Sequence, residues 1–126
     1  MTPAVAQAIE ELKAAYDRAT VTVREDGAGG AFVVLEPVDP GPPYVQRETW
    51  IGFQITFQYP YSDVYPLFVR NDLARTDGQQ LGQGFAVASF DGRPAMQLSR
   101  RSNRLNPATD TAALKVAKVL EWLWTR

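Results

Sequence analysis

Apolar residues recur near the start of the chain at Val5, Ile9, Leu12 and Tyr16, with Glu10, Glu11, Lys13 and Asp17 on the intervening positions. Spacings of four, three and four place the apolar set on one face of a helix. Thr2-Pro3 supplies a capping side chain and a proline at the first helical position, so the helix is predicted over roughly residues 3–19. The period then changes to two. Val21 and Val23 alternate with polar residues, Asp26-Gly27-Ala28-Gly29-Gly30 makes a turn, and Ala31 to Leu35 is a β-branched and aromatic run, together a hairpin pattern. The four prolines and one glycine from Pro37 to Pro43 predict a rigid loop. Ile51, Phe53, Ile55 and Phe57 alternate with Gly52, Gln54, Thr56 and Gln58, which predicts a strand with one buried face.

The segment Tyr59-Pro60-Tyr61-Ser62-Asp63-Val64-Tyr65-Pro66 ends that pattern. Its prolines have no amide to donate, so it leaves the sheet. Leu67 to Val69 is a short strand candidate, and Phe85 to Phe90 and Ala95 to Ser99 flank Asp91-Gly92, a second hairpin signal. Thr109 or Asp110 caps a final helix whose apolar face is read as Ala113, Leu114, Val116, Ala117, Leu120 and Trp124. Trp122 and Trp124 are two apart and cannot share a narrow face. One is expected in the core and the other partly exposed, where it could anchor a partner or a dimer. The order is helix, four-stranded antiparallel meander, irregular loop, helix. That indicates an α+β fold, and 126 residues suit a single domain spanning 1–126.

Composition narrows the chemistry. A net charge of -1 and a pI of about 5.4 argue against nucleic acid as a partner. The apolar runs are too short to span a bilayer. The N-terminus has no basic region followed by an apolar one, so a cytoplasmic protein without a membrane partner is expected. The chain contains no cysteine and no histidine. A thiol nucleophile, a zinc–thiolate site and an imidazole base are excluded. No phosphate loop, metal-ligand cluster or cofactor motif occurs, and no cofactor is expected.

Three segments carry a likeness to a known family. They are the first helix with its meander, Ile55-Thr56-Phe57-Gln58-Tyr59-Pro60 through Tyr65-Pro66, and Met96-Gln97-Leu98-Ser99 followed by Leu105-Asn106-Pro107-Ala108-Thr109 and the last helix. In this order they resemble the ubiquitin-conjugating (E2) enzymes and the related RWD domains, and most closely short bacterial E2-like proteins. The resemblance implies a ubiquitin-conjugating fold in minimal form. It also implies an operon context of ubiquitin-like, E1-like and JAB-type peptidase proteins, sometimes in antiviral defence. The family's cysteine precedes a Leu-Ser pair; aligning on Leu98-Ser99 puts Gln97 at its place, and a shift of two puts Ala95 there. The family's His-Pro-Asn segment is missing, with Asp91-Gly92-Arg93-Pro94 in its neighbourhood, and the helices that follow in the family are not present after the last helix.

The sequence therefore leaves three readings open. In the first, the protein is non-catalytic and binds a ubiquitin-like protein, an E1-like protein or an active E2-like protein. In the second, it is a conjugating enzyme whose cysteine at 95 or 97 has been replaced. In the third, it is an RWD-like interaction module unrelated to ubiquitin transfer. Ser99 and Ser89 are hydroxyl candidates, but a serine needs a base; Asp91 or a lysine could serve, and nothing in the spacing points to either. Arg100, Arg101 and Arg104 form a basic cluster that would suit an acidic surface or a carboxyl tail, since arginine binds carboxylates bidentately. Tyr65 and Trp124 are further partner-binding candidates. Tyr59, Pro60, Tyr65 and Pro66 are expected to hold the loop shape, with the tyrosine hydroxyls in water. By resemblance, the first helix is a candidate surface for an E1-like protein.

Overall fold

The computed structural model describes residues 1–126 and has an α+β architecture. Helix α1 (Pro3–Ala15) is followed by β1 (Thr20–Glu25), β2 (Ala31–Val38), β3 (Thr49–Ile55) and β4 (Leu67–Arg70). Then come the hairpin β5 (Phe85–Phe90) and β6 (Arg93–Leu98), and helix α2 (Ala112–Trp124). All strands join one antiparallel sheet in the order β1-β2-β3-β4-β6-β5. The sheet has six strands rather than the four expected, because the second hairpin, outside the meander, joins it through β6 beside β4 and leaves β5 at the edge out of chain order.

The local signals explain the elements. The Thr2 hydroxyl accepts from the Val5 amide at 3.2 Å and caps α1. Its buried residues are Val5, Ala8, Ile9 and Leu12, and it stops at Ala15 rather than 19. Asp91 and Gly92 both take positive φ, 47° and 82°, as a two-residue turn of the first mirror-image type requires. Pro37 lies inside β2, where the β2–β3 register shifts between Leu35 and Val38.

Both helices cover one face of the sheet. Phe53, Leu12, Leu35, Ile51, Ile55, Leu67, Leu98 and Leu123 are fully buried in the core between them. α2 is rotated relative to its expected face. Ala112, Lys115, Val116, Val119, Trp122 and Leu123 are buried, whereas Leu114, Ala117 and Trp124 are exposed and Ala113 and Leu120 half-buried. The cap is Thr111, not Thr109 or Asp110, which belong to the preceding turn on Asn106.

The opposite face is also covered, which the alternation in β3 did not indicate. Residues Thr49 to Phe53 are all buried. The tip of the β5–β6 hairpin curls over this outer face and lays Phe90 on Gly52. There a Cβ would stand 2.7 Å from the Phe90 ring. Phe90 stacks on Phe68 and Trp50 with centroids 5.0 and 6.0 Å away and meets Phe32 edge-on at 5.9 Å. Phe57, expected on the buried face, lies beyond the end of β3 and is exposed.

Candidate functional site

The Tyr-Pro segment, the loop from Ser99 to Asp110 and the flank of α2 meet at one place. Tyr59 turns its hydroxyl to the start of α2, where it accepts from the Ala112 amide at 3.0 Å. That satisfies one of the donors that a helix N-terminus leaves free. Its hydroxyl is therefore engaged with protein rather than with water, and burial raises its pKa. Tyr59-Pro60 and Tyr65-Pro66 are both cis peptides.

Four residues further along the segment, Asp63 ties the three pieces together. Its carboxylate accepts from the Ser102 amide and hydroxyl, each at 2.7 Å, and from Lys115 Nζ at 3.0 and 3.1 Å. Lys115 Nζ also donates to Ser102 Oγ at 3.0 Å. Lys115 is only 7% exposed, a charge that is stable in such a position only when paired. Burial pushes the Asp63 carboxyl up, but the Ser102 and Lys115 bonds outweigh it and hold its pKa below the ordinary carboxylate range. This is the one hydroxyl in the region with an acid and a base beside it, yet it is poorly placed for catalysis. A carboxylate held below its usual range is a weaker base, and the lysine is bound as a cation. The cluster acts as a clamp that fixes the loop against α2.

Above the clamp lies a basic groove of about 220 Å³ lined by Arg100, Arg101, Ser102, Asn103, Lys115, Lys118 and Val119. Arg101 sits 4.1 Å above the Tyr65 ring, and Arg100 lies 5.2 Å from the Trp122 ring. Both guanidinium groups are seated on aromatic faces without a carboxylate partner, so their donors are free for a ligand. Lys115 is taken by Asp63, and Lys118 stands 3.7 Å from Asp110.

The structure separates the other candidates. Ala95 is fully buried on the outer face of β6, packed with Trp50 and Phe90. Gln97 is half-buried, and its amide donates to Ser99 Oγ at 3.2 Å. Ser99 has no base in contact, and Ser89 lies exposed on β5. Asp91 is paired with Arg24 across the outer face and serves neither serine. Arg104 is exposed at φ 54° and does not line the groove. Trp122 is the buried member of its pair, and Trp124 the half-exposed one. Trp124 faces the loop after β2, donating to the Asp39 carbonyl at 3.3 Å and resting on Gly41, away from the basic groove. Asp63, Ser102 and Lys115 were not legible as a unit, because an aspartate, a serine and a lysine spread over 53 residues have no common spacing. No family model matches this chain, and no curated protein or solved structure does so either.

Proposed function

We propose that the protein is a non-catalytic E2-like component of a bacterial ubiquitin-like conjugation system. It binds a ubiquitin-like protein, or an E1-like or active E2-like protein, through the basic groove beside α2. The observation that carries this reading is the pair Arg100 and Arg101, seated on aromatic rings with their donors unpaired. Two guanidinium groups lining one groove suit a carboxylate, such as the free end of a ubiquitin-like tail. The absence of any thiol supports binding rather than transfer. The burial of Ala95 counts against the alternative in which a catalytic cysteine at 95 has been replaced, since a nucleophile there would be out of reach of a partner.

The test is a calorimetric titration with a ubiquitin-like protein from the same operon, with its tail either free or amidated. The intact tail is expected to bind. Amidation, or the double change Arg100→Glu with Arg101→Glu, is expected to weaken it at least about tenfold. Affinity unchanged by either alteration overturns the reading. Binding to an acidic segment regardless of its terminus favours the RWD-like module instead.

A further inference from the structure

The two edges of the sheet are built differently. Edge strand β1 ends in Arg24 and Glu25; Arg24 pairs with Asp91, and Glu25 holds the terminal ammonium at 2.8 Å. Charges of this kind block pairing with another chain. Edge strand β5 reads Phe-Ala-Val-Ala-Ser-Phe, with no charge, no proline and no glycine, and Val87 at its centre is 87% exposed. An uncovered strand of that composition is an association site unless something occupies it.

The hydrogen-bond register shows which groups are free. A two-residue turn closes on a hydrogen-bonded pair, here Phe90 with Arg93, and bonded and non-bonded pairs then alternate. Ala88 with Ala95 and Ala86 with Gln97 are therefore bonded, and the Ser99 amide donates to the Gly84 carbonyl at 2.8 Å in the same phase. Ser89 faces Pro94, which has no amide, at a non-bonded position. Phe85, Val87 and Ser89 consequently point their N–H and C=O groups out of the sheet, and no side chain or loop takes them up.

From this register we infer that β5 is a self-association strand that pairs antiparallel with β5 of a second copy of this chain, with the two-fold axis at Val87. That axis sets Val87 opposite Val87, Phe85 opposite Ser89 and Ala86 opposite Ala88. The outward-facing residues are symmetric about it, so all three bonded pairs form at once. Side-chain parity is kept, and both helix layers stay on one side of the joined sheet. A second copy suits this edge because the strand carries no charge. No like charges meet across the axis, and no groups remain to select a charged partner. A single pair of six-residue strands is smaller than a standard interface of roughly 1,600 Å², so the dimer is concentration-dependent.

The experiment is analytical ultracentrifugation of the full chain from nanomolar to near-millimolar concentration, for wild type and Val87→Lys. Val87 is so exposed that the lysine leaves the fold intact, checked by circular dichroism. It should raise the dimer dissociation constant at least about tenfold, since it places two cations at the axis. A second readout uses the cysteine-free background. Val87→Cys should cross-link to a disulfide dimer far faster than Tyr61→Cys, an equally open site, because residues of a bonded antiparallel pair stand about 5.5 Å apart. A chain that is monomeric throughout, a dimer indifferent to Val87→Lys, or equal cross-linking of the two cysteines overturns the inference. Protection of the edge only in the presence of a ubiquitin-like protein would do the same and assign the strand to that partner.

Discussion

The two faces of the sheet are covered by different means and to different extents, the inner face throughout and the outer face around Trp50, Phe90 and Ala95. The inner face is closed by two helices and aliphatic bulk, with Phe53, Ile51, Ile55 and Leu12 inaccessible to solvent. The outer face is closed by the chain's own hairpin tip. There Phe90 covers Gly52 among Phe32, Trp50 and Phe68, and Arg24 on the far edge pairs with Asp91 in the turn. A thick layer built from many contacts resists local change. A single aromatic plug concentrates its stabilisation in one residue, so its loss frees a whole hairpin end.

The largest effect is expected on the inner face. Phe53→Ala should destabilise the fold by about 4 kcal/mol, read from urea unfolding, because α1, the sheet and α2 cannot all collapse into the void. Phe90→Ala should cost about 3 kcal/mol, since the tip can partly move into the space. It should also speed amide exchange in residues 86–97 well before global unfolding. An exchange pattern unchanged at the tip would show that the two faces are not separable.

Next comes the clamp that holds the loop to the helix layer. Asp63→Ala leaves Lys115 buried without its carboxylate and should cost about 2 kcal/mol, below the value for a fully enclosed pair because Asp63 keeps some exposure. Lys115→Met removes the charge but keeps an unbranched apolar stem and should cost less, so equal losses would argue against an unpaired charge as the cause. The same pair sets a pH dependence. Asp63 titrates lower in the folded chain than in the unfolded one. Its contribution is therefore present above the ordinary carboxylate value of about 4 and lost as pH falls through the folded value. Asp63→Asn should flatten that acid limb. The limb should survive high salt, unlike the contributions of the exposed aspartates. The smallest effect is Arg24→Ala, whose exposed partner pair is screened by salt. A large loss there would mean that the ion pair, not the Phe90 plug, holds the outer face.

Much of this architecture was legible because it is local. Thr2 before Pro3, the four-three-four spacing in α1 and Asp91-Gly92 each specify their own geometry within a few residues. Face assignments were less secure. Leu114 and Ala117 look as apolar as Val116 and Val119, and only packing against the sheet decides between them. Lys115 reads as a surface residue until Asp63 and Ser102 arrive from elsewhere in the chain. For the site, the charges of Arg100 and Arg101 were visible as a cluster, but not the rings of Trp122 and Tyr65 beneath them. Arg104 belongs to the same run and falls outside the groove, because its backbone turns into the left-handed region.

The sequence by itself determined the helices at either end, the two hairpins, the departure of the Tyr-Pro segment from the sheet and the exclusion of thiol and imidazole chemistry. All of these follow from residue type and from contacts within a turn or two. Only the tertiary structure decided that β6 joins β4, that Phe90 closes the outer face over Gly52, and that Asp63 and Lys115 share a buried site. Those outcomes depend on groups that meet after the sheet coils and the loops close, and such meetings leave no periodic trace along the chain.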